Sequence, residues 1–198
     1  MKNPQFSDYI KVYDDMGLEE FSDKCIALFD TNIEKVDNHE ADWRRCQIYA
    51  GLDTHNTMFN ELKNIIRDVI GRYKEEIGNN NLHFLKCIEA PNIIMYDPDD
   101  PEGKNHFHSH SDNWSMDTAT RQLSIIFYLN DVEEGGATTF TDLGLSVQPK
   151  QGRILVFPSF YTYPHKGEPP FSNPKYILVS WIHFGGKGHA YRVHDLYQ

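Results

Sequence analysis

The stretch Gln122-Leu-Ser-Ile-Ile-Phe-Tyr-Leu-Asn130 is rich in β-branched and aromatic residues, a composition typical of a β-strand. Similar short runs follow one another through the C-terminal half of the chain, and glycine or proline residues separate them. These runs are residues 85–96, interrupted at Pro91, and residues 137–141, 145–148, 153–158 and 176–184. Strands with no helices between them predict a double-sheet barrel or a jelly roll.

The N-terminal half follows a helical period instead. Apolar residues recur at this spacing over residues 18–29 and, more regularly, over residues 58–73. We predict that Asp53 or Thr54 caps the start of the second helix and that Gly78 ends it. Packing against a sheet is the simpler interpretation of these helices, although a helix that binds a partner protein would carry the same apolar stripe.

The length of 198 residues suits a single domain with one substantial core. We predict an α+β, mainly β, fold in which residues 1–82 form mainly helical support, residues 83–186 form the jelly-roll core and residues 187–198 form a C-terminal tail. Residues 97–104 contain two prolines among acidic residues, so this segment is predicted to be a polar loop.

The composition narrows the range of partners and compartments. With 29 acidic against 19 basic residues, the surface repels phosphate groups, so we expect no nucleic-acid partner. No apolar run reaches the roughly 18 residues that cross a bilayer, and the N-terminus lacks the apolar segment of a signal peptide. Cys25, Cys46 and Cys87 are odd in number and have no C-x-x-C spacing, which is typical of reduced core cysteines. We therefore expect a cytoplasmic monomer with no membrane partner.

A candidate metal site lies in the stretch His106-Phe-His-Ser-His-Ser-Asp112. His110 and Asp112 are two residues apart, so in an extended segment their side chains share one face. His165, in Tyr-Pro-His-Lys-Gly, is the best candidate for a third ligand. Two histidines and one carboxylate form the facial triad of non-haem iron(II) oxygenases, which leaves three coordination positions open. Zinc hydrolases use the same ligand types, so the triad alone does not identify the metal.

Two alternatives to this ligand set stay open from the sequence. His106, His108 and His110 would all project from one strand face, so a metal bound by His108 and His110, with Asp112 hydrogen-bonded behind them, is one alternative. The other is that the His-x-Asp tripeptide is only exposed polar sequence, since the chain has 10 histidines and 29 acidic residues.

Lys175 begins the last strand-like run, and alternation places it on the same face as Ile177, Val179 and Trp181. That face has the composition of an interior face. A lysine buried there needs an anion, because desolvation otherwise drives it toward its neutral form. The alternative is that Lys175 sits at the end of the strand and extends its amino group to solvent.

Taken together, these segments resemble, in order and at similar spacing, the prolyl 4-hydroxylase branch of the 2-oxoglutarate- and iron(II)-dependent dioxygenases. The resemblance covers about residues 96–184 and does not extend to the N-terminal half. It is carried, beyond the candidate triad, by residues 121–130, Gly135-Gly-Ala-Thr-Thr-Phe140, residues 149–157 and residues 175–181. The family fold is a double-stranded β-helix, a jelly roll, which agrees with the strand pattern.

The resemblance implies Fe(II), 2-oxoglutarate and O2 as cofactors, with ascorbate as a candidate reductant, and the decarboxylation of 2-oxoglutarate to succinate. It implies that Lys175, ten residues after His165, pairs with the C5 carboxylate of 2-oxoglutarate. Tyr128 matches a family tyrosine whose hydroxyl meets the same carboxylate. Tyr96 matches a second tyrosine that lines the cosubstrate pocket, but more loosely, because the loop that follows it varies in length within the family.

The resemblance also implies a peptide or protein substrate that is hydroxylated on proline at C4. Arg121 resembles a basic residue on the substrate side, with a solvated arginine as the alternative, and Trp181 matches a pocket tryptophan, with simple core packing as the alternative. We expect Trp181, Trp114 and either Tyr161 or Tyr163 to form an aromatic slot for the proline. Hydroxylation of lysine or of a small molecule is the second functional hypothesis. A metal-binding jelly-roll module without enzymatic activity is the third.

Overall fold

The computed structural model describes residues 5–52, 56–78, 82, 84–98, 105–184 and 193–197. Its helices are α1 (Glu19–Thr31) and α2 (Thr57–Ile77). Its strands are β1 (Lys11–Tyr13), β2 (Asp37–Ala41), β3 (Arg44–Tyr49), β4 (Leu85–Glu89), β5 (Asn92–Tyr96), β6 (Phe107–His110), β7 (Arg121–Tyr128), β8 (Thr138–Phe140), β9 (Leu145–Val147), β10 (Ile154–Pro158), β11 (His165–Gly167), β12 (Lys175–Phe184) and β13 (Val193–Asp195).

The strands form one antiparallel sheet that curls back on itself. Neighbouring strands follow the order β1-β10-β7-β12-β5-β3-β6-β11-β8-β9, with β2 beside β3 and with β4 between β12 and β13. A single register pair, Arg44 with Phe107, joins β3 to β6. Phe140 of β8 nevertheless packs on Phe157 of β10, with ring centroids 4.9 Å apart, although these strands are far apart in the order. The sheet therefore closes into the double-stranded β-helix that the sequence predicted.

The strands β5, β7 and β12 are apolar on both faces because each face covers a different core. Alternate residues such as Ile93, Ile125 and Leu178 pack against the two helices. Their sequence neighbours point the other way, into the space enclosed by the curled sheet, where they meet residues of β8 and β9. This inner core includes Ile94, Ile126, Ile177, Val179, Phe140 and Val147. The helices support the sheet from outside, and the enclosed space lies on its opposite face.

Helix α2 shows how the sequence sets the helix boundaries. The side chain of Asn56 accepts a hydrogen bond from the Met58 N–H, and Gly78 ends the helix with a positive φ of 64°. The prediction for Gly78 is therefore confirmed. The predicted caps Asp53 and Thr54 lie outside the described residues, and the cap is Asn56, because its side-chain oxygen reaches the free N–H of the first turn.

The structure adds strands to the predicted secondary structure. Residues 1–82 were predicted as mainly helical support, and they also contain β1, β2 and β3, whose polar and charged residues hide the strand period. The segment of β6 was treated as extended in the sequence, whereas the short strand β11 was not predicted, since histidine and glycine give it little strand propensity. Within the predicted tail, β13 pairs with β4, and residues 187–192 lie outside the described part. No helix in the described residues is long and apolar enough to span a membrane.

The packing of α2 on the sheet gives a first test. Ile66 is fully buried against the sheet, whereas Ile65, its neighbour on the helix, is only partly buried. We expect Ile66→Ala to lower the free energy of unfolding by about 2–5 kcal/mol, because it leaves a cavity between helix and sheet. The matched variant Ile65→Ala should lose less than half of that. Urea denaturation followed by circular dichroism measures both, and equal losses would contradict this packing.

Candidate active site

The curled sheet brings His110, Asp112 and His165 together. His110 at the end of β6 pairs in register with His165 at the start of β11, and Asp112 follows β6 directly. Nε2 of His110 lies 3.5 Å from one Asp112 carboxylate oxygen, and Nε2 of His165 lies 3.8 Å from the other. The donor atoms all lie within 4.8 Å of one another. Ligand atoms that share one ion through bonds of about 2 Å have this spacing.

Hydrogen bonds to backbone carbonyls orient both imidazoles. Nδ1 of His110 lies 2.8 Å from the His108 carbonyl oxygen, and Nδ1 of His165 lies 3.2 Å from that of Tyr163. A carbonyl oxygen only accepts, so Nδ1 donates in each ring and Nε2 keeps its lone pair for a metal. Burial lowers the pKa of His165 to about 4, although the charge of Asp112 opposes this shift. The ring is therefore neutral near pH 7, as metal binding requires.

Two buried serines hold the carboxylate of Asp112. The Ser124 hydroxyl donates to one carboxylate oxygen at 2.5 Å. The Ser159 hydroxyl oxygen lies 2.9 Å from that of Ser124 and forms the next hydrogen bond in this series. Burial by itself raises the pKa of Asp112, but His165, His110 and the Ser124 hydrogen bond outweigh it and keep the pKa below its usual range. The group is therefore a fixed anion. Neither serine was predicted as a site residue from the sequence, although alternation along β7 places Ser124 on the pocket face.

The alternative ligand set with His108 is not supported. His108 is exposed, and its ring stacks on that of His106 with centroids 4.5 Å apart. Within the described residues, the cluster of potential metal ligands consists of His110, Asp112 and His165 and does not include His108.

The cluster opens into a pocket inside the curled sheet. Its walls are mostly apolar, with a few polar groups that converge on the interior, as is usual for small-molecule sites. The described lining residues are Arg44, Asn92, Ile94, Tyr96, Phe107, His110, Asp112, Ile126, Thr138, His165, Gly167, Lys175, Ile177, Val179 and Trp181. Three of these side chains carry a charge: Arg44, Asp112 and Lys175.

Lys175 is 2% exposed and lies on the interior face together with Ile177, Val179 and Trp181, as alternation predicted. The alternative that its amino group reaches solvent is therefore wrong. Within the described residues, Nζ makes no hydrogen bond or ion pair, and it lies 5.5 Å from the centre of the Tyr96 ring. Burial lowers the pKa of Lys175 to about 7, with partial opposition from the charge of Glu168. The pocket thus contains a basic group without an anionic partner, and an anion beside it would stabilise its charged form.

Tyr128, Thr138 and Tyr96 surround this lysine. Nζ of Lys175 lies 5.9 Å from the centre of the Tyr128 ring, whose hydroxyl donates to Thr138 Oγ1 at 2.7 Å. Thr138 itself lines the pocket and Tyr128 is not among the lining residues, so Tyr128 orients a pocket hydroxyl, and its direct contact with a cosubstrate stays a prediction. Tyr96 pairs in register with Lys175 across β5 and β12. Thr138 was not predicted as a site residue, although it lies in the segment Gly135–Phe140 that carries part of the family resemblance.

Arg121 has a different environment from the one predicted. Its guanidinium donates to both carboxylate oxygens of Glu89, at 2.8 and 2.6 Å, and lies 3.5 Å from the centre of the Trp181 ring. Burial raises the pKa of Glu89, but hydrogen bonds from His183 and Arg121 outweigh this effect and lower it to about 2. The guanidinium also donates to the backbone oxygen of Asp112 at 3.2 Å. Arg121 is thus not solvated, and its charge is paired with Glu89 and not directed at a substrate. Its contact with the candidate metal site is the hydrogen bond to the backbone oxygen of Asp112.

The aromatic slot predicted for the substrate is only partly assembled. Trp181 lines the pocket, and its buried Nε1 has no hydrogen-bond partner within the described residues. Trp114 is 72% exposed and lines an outer groove next to His110. Tyr163 is buried and lines a separate apolar cavity, and the exposed Tyr161 lines neither. Tyr163 contributes instead through its backbone carbonyl, which orients His165.

Comparison with known proteins agrees with this geometry. Residues 92–183 match the family model of the 2OG-Fe(II) oxygenase superfamily. The chain is 34% identical over 79 residues to prolyl 4-hydroxylase subunit alpha-1 of Gallus gallus, a match that covers 36% of this chain and 15% of that protein. The chain therefore spans only a small part of the length of such relatives.

Solved structures share the fold at low sequence identity. The viral collagen prolyl hydroxylase of Paramecium Bursaria Chlorella virus-1, in a 2OG complex, has a TM-score of 0.66 and 20% identity, covering 89% of this chain and 97% of that one. A prolyl hydroxylase from Trichoplax adhaerens, in complex with a peptide fragment of the hypoxia inducible factor oxygen degradation domain, has a TM-score of 0.68 and 16% identity, covering 90% and 84%.

Residues 92–183 are therefore similar to the domains of the 2OG-Fe(II) oxygenase superfamily. Within this class, the chain is prolyl 4-hydroxylase-like in sequence and fold, and the resemblance predicted from the sequence is confirmed.

The hydrogen-bonded cluster predicts how metal binding responds to substitution. We expect His110→Ala, Asp112→Ala and His165→Ala each to abolish tight Mn(II) binding, because each removes a ligand atom. Ser124→Ala should weaken binding by about 10–100-fold, since it frees the carboxylate that it orients. Anaerobic titration measures these affinities, and His108→Ala is the matched control with unchanged affinity. If His108→Ala lost Mn(II) binding and the other variants kept it, His108 would be a metal ligand and this assignment would be wrong.

The buried lysine predicts opposite effects on stability and on ligand binding. Lys175→Met should weaken 2-oxoglutarate binding by more than about a hundredfold, because it removes the cation that, by the resemblance, is expected to meet the C5 carboxylate. The same variant should gain at least about 1 kcal/mol in free energy of unfolding at pH 7, because the buried charge is gone. The pKa of Lys175 is lower folded than unfolded, so wild-type stability rises as the pH increases above about 7, and the variant should lack this rise.

Calorimetry and urea denaturation at several pH values measure both effects of Lys175→Met. Lys166→Met, on a half-buried lysine of β11 that already pairs with Glu168, is the matched control. It should leave the Kd of 2-oxoglutarate within about twofold, a small energy beside the roughly 1.4 kcal/mol of a tenfold change. A variant at Lys175 that binds 2-oxoglutarate normally would place the cosubstrate pocket elsewhere.

Proposed function

We propose that this protein is an Fe(II)- and 2-oxoglutarate-dependent dioxygenase that hydroxylates a peptidyl proline, as prolyl 4-hydroxylases do, and converts 2-oxoglutarate to succinate and carbon dioxide. The observation that carries the proposal is the pairing of two features in one pocket. A cluster of three metal ligands lies at one end, and Lys175, a buried basic group without an anionic partner, lies along the wall. A dicarboxylate that chelates a metal would satisfy both.

The donor set fits iron(II) and argues against a zinc hydrolase. Two imidazoles and one carboxylate on one side of an ion leave three positions open for a bidentate cosubstrate and oxygen. A hydrolytic zinc site commonly uses a further carboxylate as the general base that activates water. Among the described lining residues, Asp112 is the only carboxylate, and it belongs to the ligand cluster itself.

When bound, Fe(II) and 2-oxoglutarate would supply the oxidative chemistry, and the protein would supply binding and orientation. His110, Asp112 and His165 would hold the metal, with the Asp112 carboxylate fixed by Ser124. Lys175 would bind the far carboxylate of the cosubstrate as a point charge. Because an ammonium does not fix the orientation of a carboxylate, the Thr138 hydroxyl, oriented in turn by Tyr128, would do so.

The apolar walls of the pocket would limit the access of water. Ile94, Ile126 and Val179 line the interior between the ligand cluster and the sheet. A water-poor site strengthens the attraction between Lys175 and a carboxylate, and it protects reactive species from side reactions. Tyr96 lies beside Lys175 and would pack along the cosubstrate, in agreement with its predicted position.

Two observations support proline as the substrate residue: the identity of the similar proteins and the aromatic lining of the outer groove. The relatives named above are prolyl hydroxylases, and one of the similar structures contains a bound peptide. The groove is lined by Trp43, Phe107, His108, Ser109, His110 and Trp114, so it adjoins the ligand cluster. An extended proline-rich peptide packs well on such aromatic side chains, because its polyproline II conformation has a low ordering cost.

The remaining parts of the proposal concern partners and location. We propose a proline-containing peptide or protein as the partner, no nucleic-acid or membrane partner, a monomeric state and ascorbate as the reductant. The three cysteines are buried, which is typical of the core cysteines of proteins in a reducing compartment such as the cytoplasm.

Product analysis tests the proposed function. With iron, ascorbate and 2-oxoglutarate, proline-rich peptides should gain the mass of one oxygen atom on proline and release succinate in equal amount. The same peptides with alanine in place of each proline are the control and should remain unmodified. Hydroxylation of lysine peptides or of free amino acids, with no hydroxyproline in any peptide, would overturn the proline assignment and leave the oxygenase assignment intact.

A further inference from the structure

The active-site pocket contains a second cation for which the known chemistry of the site has no use. Arg44 lies at the start of β3, in the half of the chain that the family match does not cover, and its side chain lines the pocket. Its guanidinium carbon lies 4.7 Å from the centre of the Phe107 ring. The Phe107 ring in turn stacks on His110, with centroids 3.5 Å apart. The Phe107 ring thus lies between Arg44 and the candidate metal ligand His110.

The neighbours of this guanidinium do not neutralise it. It lies beside the Tyr96 hydroxyl and the Cys46 thiol, and its buried Nε has no hydrogen-bond partner within the described residues. No ion pair joins it to a carboxylate in the described part of the chain. Arginine remains charged at any pH that a protein experiences, so this partly buried guanidinium cannot lose its charge by losing a proton. An arginine in this position is therefore available to bind an anion from outside the chain.

The charges in the pocket show that 2-oxoglutarate does not neutralise this guanidinium. Under the proposed function, the two positive charges of Fe(II) balance the two carboxylates of 2-oxoglutarate. Asp112 then balances one of the two lining cations, Lys175 and Arg44, and one positive charge remains. Since Lys175 lies deep in the pocket beside Tyr128, the residual charge is that of Arg44, which lies nearer the opening.

The location of Arg44 indicates which molecule meets it. Trp43 and Arg44 are consecutive, and alternation sends Trp43 to the outer groove and Arg44 to the inner pocket. Phe107 and His110 line both spaces. A substrate that lies in the groove and extends one group toward the metal therefore passes the guanidinium just before it reaches His110.

We propose that Arg44 is a specificity-determining residue that binds a carboxylate of the hydroxylated substrate, located next to the carbon that reacts. The proposal rests on the proposed function and narrows its substrate class. A planar guanidinium matches a carboxylate through two parallel hydrogen bonds, which fixes position as well as charge. The carboxylate belongs either to an acidic side chain beside the target residue of a peptide or to the main-chain carboxyl group of a free amino acid.

Matched ligand pairs test this inference. The peptide pair has Glu or Gln beside the target proline, and the small-molecule pair is L-proline and L-prolinamide. Binding is measured without oxygen on the protein loaded with Mn(II) and 2-oxoglutarate, and hydroxylation is measured separately with iron. We expect the wild type to bind the carboxylate member of at least one pair more than about tenfold tighter, a difference of about 1.4 kcal/mol. The pair that shows the preference identifies the source of the carboxylate.

Variants of Arg44 should change this preference in a graded way. Arg44→Gln should abolish it, Arg44→Lys should keep part of it, and Arg44→Glu should reverse it toward a peptide with Lys beside the proline. Arg45→Gln removes the same charge one position along β3, on the opposite face, and should keep the full preference. Circular dichroism checks that each variant folds, and Arg44→Lys retains a cation if the neutral variant does not fold.

Three results would overturn the inference. One is a wild type that does not distinguish the members of either pair, and another is an Arg44→Gln variant that keeps the preference. The third is an Arg44→Gln variant that weakens 2-oxoglutarate binding and leaves the preference intact, which would assign Arg44 to the cosubstrate. These results leave the proposed function intact if the wild type forms succinate. No succinate from the wild type with any probe would overturn the proposed function together with this inference.

Discussion

A lysine ammonium that is buried in an apolar sheet face costs stability until an anion reaches it, and Lys175 is buried in this way at the start of the longest strand. Its strand, β12, pairs with β4, β5 and β7, and Lys175 itself lies in register with Tyr96 of β5, so the position of its backbone is fixed by the sheet. Desolvation lowers the pKa of the group to about 7. The fold therefore maintains a destabilised position whose cost an anionic ligand would remove, and this cost is the physical basis of the proposed selectivity for a carboxylate.

The same sheet face holds the metal ligands through register rather than through local sequence. His110 and His165 are far apart in the chain, and only the pairing of β6 with β11 aligns them. Asp112 lies beyond the end of β6 and depends on Ser124 of β7 and on the backbone contact from Arg121. The ion pair of Arg121 with Glu89 lies behind this contact. The candidate metal site consists of three residues, but four strands and a buried polar network hold these residues in place.

Much of this arrangement is predictable from the sequence because alternation fixes faces. The interior position of Lys175 and the joint use of His110, Asp112 and His165 follow from spacing and family resemblance, and so does the jelly roll. The strands of the N-terminal half were not predictable, since polar residues hide their period and only their partners in the sheet stabilise them. Arg44 and Ser124 were missed for the same reason, because their roles depend on contacts between distant strands. The charge of Arg121 suggested a substrate contact, and nothing in the sequence indicated that Glu89 is its partner.

The central claim is that the ligand cluster and Lys175 hold two ends of one molecule. If so, metal and 2-oxoglutarate must each strengthen the binding of the other by the same factor. The most direct test is anaerobic calorimetry of 2-oxoglutarate binding with and without Mn(II), and of Mn(II) binding with and without 2-oxoglutarate. We predict that each ligand tightens the other at least about tenfold, a coupling of about 1.4 kcal/mol. Equal affinities with and without the partner would contradict the account, because the metal and the cosubstrate would then occupy separate sites.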